Sequence, residues 1–327
     1  MTPRENLLMF MRHEIPTWIP NYRTDTYVYT PRETLDRSAD KEGGLDWFGV
    51  KWAYEPTIRG FMPDTRCEPF MDDITEWEKK VTFPDLNAID WAGMAKRDAL
   101  LFDENKVTVM QIVCGLFERL AAMMGMLNAN IALVEEPDAC REFLSALADF
   151  RIREMEKFIT WFPQIDMFEM HDDWGTQISS FMSPATWCNV IAPAISKIED
   201  FVKSHGKHLH IHSCGRVEGL IPHMIDAGID HWTSAQSMND LPGILHNYCS
   251  TRKFTMMGGF DIPEWRAPGM TKEKLMPLVE ARIDQLCKGG ACLPYVALRV
   301  PHVNDCICEA LKNRQDFYQV PENREFA

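Results

Sequence analysis

His208-Leu209-His210-Ile211-His212-Ser213-Cys214-Gly215-Arg216 alternates polar imidazoles with apolar residues for five positions and then breaks into small and polar ones. Period-two alternation is the signature of a short strand, and the break marks where its loop begins. On either side the period changes: 184–205 before it and 217–227 after it carry the 3.6-residue spacing of helices. Helix, strand, helix is one β/α unit, and the same alternation recurs through the second part of the chain. It predicts strands at 107–113, 167–170, 208–212, 231–234, 254–257 and 293–298, and helices at 117–126, 137–161, 184–205, 217–227, 241–248, 272–288 and 306–318. Repeated strand–helix order implies parallel strands joined by right-handed crossovers. A further strand at 18–22 brings the count near eight and favours an α/β fold of the TIM (β/α)8 barrel type over an open doubly wound sheet.

Upstream of residue 106 the reading is irregular. A short helix at 3–13 is followed by the early strand. An alternating aromatic run, Asp46-Trp47-Phe48-Gly49-Val50-Lys51-Trp52-Ala53-Tyr54, then predicts a hairpin. Pro84-Asp85-Leu86 reads as a surface connection. Residues 1–105 are therefore expected to be an N-terminal extension carrying the first strand, and 106–327 the regular repeats, within one domain spanning 1–327.

Composition narrows the class. The chain has 327 residues, 46% hydrophobic and 25% charged, ordinary globular usage. Its 34 Lys+Arg against 48 Asp+Glu give a net charge of −14, and no basic run could track a phosphate backbone, so nucleic acid is an unexpected partner. No apolar stretch approaches the roughly 18 residues of a membrane span. Met1-Thr2-Pro3-Arg4-Glu5-Asn6 lacks a signal-peptide pattern, so a cytoplasmic protein without membrane contact is expected. The ten cysteines are scattered singly apart from Cys306 and Cys308, which suits reduced thiols. An acidic barrel of this size is compatible with a homodimer. Neither GxGxxG nor GxxxxGK[ST] occurs, so nicotinamide and nucleoside triphosphate cofactors are unsupported. The twenty methionines read first as gap-filling core and second as the lining of a pocket for a flat apolar ligand.

In barrels of this kind the chemistry sits where strands end and βα loops begin. Those positions hold Gln111, Cys114, Glu169, His171, Asp172, Asp173, His210, His212, Cys214, Gln236, Asp261, Arg299 and His302. In the cluster Met170-His171-Asp172-Asp173-Trp174-Gly175-Thr176-Gln177, paired carboxylates could share a proton, bind a cation or hold a substrate; alternatively, one of them caps a following segment or pairs with an arginine. Along 208–212 the three histidines share one face, and His212 stands two residues from Cys214. That pair suits zinc, which needs at least a third protein ligand; the alternative is a hydrogen-bonding histidine beside a small buried thiol. Cys292 would sit at the wrong end of its strand to supply the third ligand, and Cys306 and Cys308 fall on a predicted helix where i and i+2 diverge.

These residues resemble the uroporphyrinogen decarboxylase superfamily, TIM barrels that include corrinoid-dependent methyltransferases. The likeness is carried by Thr2-Pro3-Arg4-Glu5-Asn6, Asp172-Asp173-Trp174-Gly175-Thr176-Gln177, His212-Ser213-Cys214-Gly215-Arg216-Val217, Leu220-Ile221-Pro222, Ala227-Gly228-Ile229-Asp230, Gln236 and Gly258-Gly259-Phe260-Asp261. The true decarboxylase carries an arginine-rich motif near its start, where this chain reads Pro20-Asn21-Tyr22-Arg23-Thr24-Asp25. Gly44-Leu45-Asp46-Trp47-Phe48-Gly49-Val50, Asp73-Ile74-Thr75-Glu76-Trp77, Phe83-Pro84-Asp85-Leu86 and Gly115-Leu116-Phe117-Glu118-Arg119-Leu120 resemble the branch containing methyltransferases of anaerobic O-demethylases.

That resemblance implies transfer of a methyl group from a small methoxylated compound, aromatic ones included, to a corrinoid (cobalamin) carried by a separate protein. Together with the strand-end positions it points to Asp172, Asp173 and His212 as catalytic groups, Gln111, His171, Gln236, Asp261 and His302 as substrate contacts, and His212 and Cys214 as ligands of zinc. Thiol-methylating relatives take a later cysteine as third zinc ligand, and Tyr295-Val296-Ala297-Leu298-Arg299-Val300-Pro301-His302 has none. The alternatives are a decarboxylase of a non-porphyrin substrate and a non-catalytic partner of a corrinoid protein.

Overall fold

The computed structural model describes residues 1–327 apart from 39, 41, 58, 59, 252, 297–300 and 327. Its centre is a parallel sheet of β1 (Thr26–Tyr29), β5 (Val107–Ile112), β6 (Ile165–His171), β7 (His208–His212), β8 (His231–Ala235), β9 (Thr255–Gly259) and β10 (Cys292–Tyr295), paired in that order. A separate antiparallel sheet joins β2 (Gly44–Leu45), β3 (Lys51–Glu55) and β4 (Gly60–Pro63). The parallel strands are short and largely buried because helices cover one face and the lumen the other: six of seven residues of β6 are buried, and all of β8 and β9.

The strands fall close to the predicted positions, except the first. Residues 18–21 are irregular and Tyr22–Asp25 form one helical turn, so the early strand lies at Thr26–Tyr29 instead. Asn21 caps the turn through its side chain, and its backbone N–H donates to Asp25; this local bonding outcompetes an extended ladder. The turn packs against both β1 and β10, the two edges of the sheet, which therefore curls until one helical turn bridges its ends. Seven parallel strands stand among the described residues where eight were expected; the end of the predicted strand 293–298, and Arg299, lie outside the described residues.

Helices Phe117–Met124, Met126–Glu135 and Pro137–Trp161 fill the crossover from β5 to β6. Gly125, at φ 79°, divides the first two where a single helix 117–126 was expected. The helix predicted at 184–205 is divided too: a π turn at Trp187–Ile191 precedes Ala192–Ser204, because Pro193 cannot donate to the preceding turn. The last helix is Pro301–Lys312. The hairpin forms as expected, β2 pairing with β3 across a turn in which Asp46 Oδ1 accepts from the N–H groups of Phe48 and Val50.

Inside the curl, Leu7, Phe10 and Met11 of the helix Pro3–Met11 pack with Val107, Val109, Met167, Met257 and Leu293. That apolar plug closes the N-terminal end of the sheet and leaves the polar lumen residues at the other. No helix among the described residues is long and apolar enough to cross a membrane.

Candidate active site

Alternation along β5, β6 and β7 sends Gln111, Glu169, His171, His210 and His212 into the lumen in register, with Gln111 beside Glu169, Glu169 beside His210, and His171 beside His212. Glu169 is the hub. Its carboxylate accepts from Tyr22 Oη at 3.0 Å and Gln111 Nε2 at 2.7 Å, and it lies 3.0 Å from His171 Nε2. Burial favours the neutral acid, but the bond and charge of His171 outweigh it and hold Glu169 well below the usual carboxylate range. Burial likewise opposes the His171 imidazolium, and the bond to Glu169 prevails, raising its pKa. The pairing favours a carboxylate beside the charged form of the imidazole at the sheet's C-terminal end.

His212 stacks on His171 with ring centroids 4.1 Å apart and planes 10° from parallel. Burial, then the neighbouring His171 charge, push its pKa down to about 4, so it stays neutral with a lone pair to offer. Its Nε2 lies 3.3 Å from Cys214 Sγ and 3.9 Å from Asp173 Oδ1. Burial pushes the Cys214 thiol up to about 12, with Asp173 adding to it. Asp173 Oδ1 accepts the Cys214 backbone N–H at 2.7 Å, which fixes the loop after β6 against the loop after β7. Those loops touch at Gly175 and Gly215. Gly215 has φ 83°, and a Cβ there would lie 2.2 Å from the Gly175 backbone, so the approach admits no side chain.

Two donor sets converge at this end of the sheet. Asp173, His212 and Cys214 offer an oxygen, a nitrogen and a sulfur within 4.8 Å of one another; Glu169, His171 and His212 do the same with one oxygen and two nitrogens. The first suits a borderline-soft cation such as zinc, with one position left for substrate or water. Because the thiol is protonated without metal, ligation there would release a proton.

The other expected positions have different surroundings. Asp172 is fully buried: one oxygen accepts Glu118 N–H at 2.8 Å and the other Trp174 Nε1 at 3.0 Å. It thereby caps the start of the helix Phe117–Met124, and burial raises its pKa to about 6 against those bonds. Gln236 Oε1 accepts Gly215 N–H at 2.6 Å and Asp261 Oδ1 accepts Ser237 N–H at 2.8 Å, so both hold backbone around a narrow gap shared with Ser234 and Tyr295. His302 Nε2 lies 3.0 Å from Trp265 O, and no contact joins it to the histidine pair among the described residues. Cys292 opens β10 at the far end of the sheet, and Cys306 and Cys308 stay on the last helix, as expected.

Sequence reading missed Tyr22, Arg37, Glu118 and Ser234. Arg37 pairs with Glu118 at 2.9 Å, and both reach the site from the N-terminal region and the β5 crossover. They stand at the polar end of an apolar cleft of about 220 Å³ lined by Trp52, Phe61, Met62, Ala121 and Met126. Only Ser234, at a strand end, occupied a position that could have flagged it; it takes the left-handed φ of 51° and accepts from the Cys214 thiol at 3.6 Å.

Residues 58–261, well over half of the chain, match the uroporphyrinogen decarboxylase (URO-D) family. The chain belongs to this family. Among solved structures, a methyltransferase from Methanosarcina mazei superposes with a TM-score of 0.71 over 97% of this chain and 99% of its own at 12% identity, a likeness of fold. A 3-keto-L-gulonate-6-phosphate decarboxylase from Vibrio cholerae O1 biovar El Tor str. N16961 covers 67% of this chain and 90% of its own at 12% identity, with a TM-score of 0.27 that carries no weight. No curated protein matches this URO-D family chain in sequence.

Proposed function

We propose that this URO-D family chain is a methyltransferase that takes a methyl group from a small methoxylated compound, aromatic in keeping with the Trp52 and Phe61 lining of the cleft, and passes it to the Co(I) of a corrinoid held by a separate protein. The observation that carries this reading is the convergence of Asp173, His212 and Cys214 at the strand ends, beside an apolar cleft. The fold likeness to a methyltransferase supports it. Zinc held by the three residues would supply Lewis-acid polarisation of the ether oxygen.

The chain's own groups do the rest. The cleft would bury the ring, with Arg37 and Glu118 meeting its polar substituents. His171, kept cationic by Glu169, would deliver its proton from the imidazole to the leaving oxygen as the methyl–oxygen bond breaks, so the alcohol leaves neutral. Asp172 is a positioning residue that seats the helix bearing Glu118.

Metal content and methyl transfer to a reduced corrinoid protein, measured for wild type, Asp173→Asn, His212→Ala and Cys214→Ser, test this. About one bound zinc at this cluster with methyl transfer, both lost in the variants, is the expected result. A wild type that releases carbon dioxide without corrinoid would make the chain a decarboxylase; tight corrinoid-protein binding without transfer would make it a non-catalytic partner.

A further inference from the structure

At the opposite end of the sheet from the active site, His13, Asp230 and His231 form a third convergent set, with one donor atom from each within 4.8 Å of the others. Asp230 and His231 stand at the start of β8. His13 reaches them from just beyond the helix Pro3–Met11, in the left-handed conformation at φ 58°, a strain that a bulky residue accepts where its surroundings fix it. The rings of His13 and His231 stack with centroids 4.9 Å apart and planes 6° from parallel. We infer that a divalent cation of the zinc class binds between His13, Asp230 and His231 and staples the N-terminal segment to the base of the sheet.

The hydrogen bonding around His231 supports the assignment. Its Nδ1 lies 2.6 Å from Thr255 Oγ1, whose hydroxyl points toward Asp230 O at 3.4 Å. With that hydroxyl donating to the carbonyl it accepts from the ring, the arrangement that puts the imidazole proton on Nδ1 and leaves a lone pair on Nε2 for an ion. That nitrogen faces Asp230 Oδ1 at 3.3 Å, and neither atom has a hydrogen-bond partner. Two acceptors aimed at each other in a site where His231 is 1% exposed call for a positive charge between them. Two donors bound at about 2.0–2.1 Å with tetrahedral angles stand ~3.3 Å apart, the separation seen here. His13 supplies the third ligand: its Nδ1 is also unpartnered, and its Nε2 is 3.7 Å from Asp230 Oδ2.

Lys203 Nζ, 3.1 Å from Asp230 Oδ2, serves the carboxylate's other oxygen and leaves the Oδ1 side to the ion. The His13 and Asp230 side chains are 18% and 22% exposed, which gives the ion a route in and a solvent ligand. The staple would also bear on the active site, because the segment it anchors runs on to Tyr22, a donor to Glu169.

The test is zinc content and zinc-dependent melting in a Cys214→Ser background, where the thiolate of the other cluster is gone. One zinc per chain should remain, with a rise in Tm on adding zinc, and His13→Asn should abolish both; asparagine tolerates the left-handed backbone without offering an imidazole. Cobalt(II) in the same background should give the absorption of a nitrogen and oxygen site without thiolate charge transfer, again lost with His13. Should His13→Asn fold poorly, the unsubstituted chain provides the readout: zinc should shield His13 from diethyl pyrocarbonate, scored by peptide mass. Zinc content and melting unchanged by His13→Asn, or undiminished modification of His13 under saturating zinc, overturns the assignment.

Discussion

His171 and His212 are chemically identical side chains one strand apart, 4.1 Å between rings, yet their environments set opposite protonation. His171 meets a carboxylate, which favours its charged form; burial and the neighbouring His171 keep His212 neutral. In the proposed reaction the division would make one a proton donor and the other a ligand, and it depends on Glu169. Glu169→Gln should therefore depress turnover by about 10²-fold or more while leaving bound metal in place, since a neutral amide no longer holds the His171 proton; the check is kcat alongside metal content, and loss of both together would point to a different role. Glu118 offers a second check. Burial raises its carboxyl from 4.5 to about 7 despite Arg37, so the fold favours its neutral form. Its contribution is fully present below pH 4.5 and is lost as pH rises through 7. Glu118→Gln should remove that loss, gaining about 3 kcal/mol on wild type between pH 4.5 and above 7, as read by denaturant unfolding across that range.

Among the elements, the N-terminal extension is tied to the sheet's crossover helices by a buried ionic network. Arg119 on Phe117–Met124 bonds Asp46 at 2.5 Å and Asp36 at 2.8 Å, and Arg151 on Pro137–Trp161 bonds Asp36 and Glu154, each at 2.7 Å. Trp47 and Trp52 donate to the same two aspartates, so the β2–β3 hairpin is locked over the crossover, and Trp52 lines the apolar cleft. Arg119→Leu should cost about 3–5 kcal/mol, since it leaves the buried Asp46 carboxylate without its cation and Asp36 with Arg151 alone. Equilibrium unfolding in urea measures it, and a cost below about 1 kcal/mol would mean the network contributes little. The network was not legible in the sequence: Asp36, Asp46, Arg119 and Arg151 are spread over 115 positions and only the folded chain joins them.

For the whole molecule, the polarity of the curled sheet places donor sets at both ends, two sharing His212 under the βα loops and one beside the N-terminal plug. A ligand that binds only the folded state stabilises it by mass action, about 2.7 kcal/mol at a hundredfold excess over Kd. Zinc added to chelator-stripped protein should thus raise the free energy of unfolding by about that much, and chelation should reverse it; calorimetry with and without zinc checks the expectation, and superimposable unfolding curves would contradict metal binding at either end.

The sequence by itself determined the parallel β/α order and the stations of the chemistry. Period two changing to period 3.6 is a local property, and a strand's last residues are marked by where its apolar run stops, so Gln111, His171, Asp173, His212 and Cys214 could be named without a structure. Tertiary structure alone decided the rest. It replaced the strand at 18–22 by a helical turn, because Asn21 and Asp25 bond locally. It turned Asp172 inward to cap a helix 54 residues away while Asp173 stayed by His212. It also brought Tyr22, Arg37 and Glu118 to the site and His13 to Asp230, since contacts between residues far apart in the chain follow from how elements pack, which no local periodicity encodes.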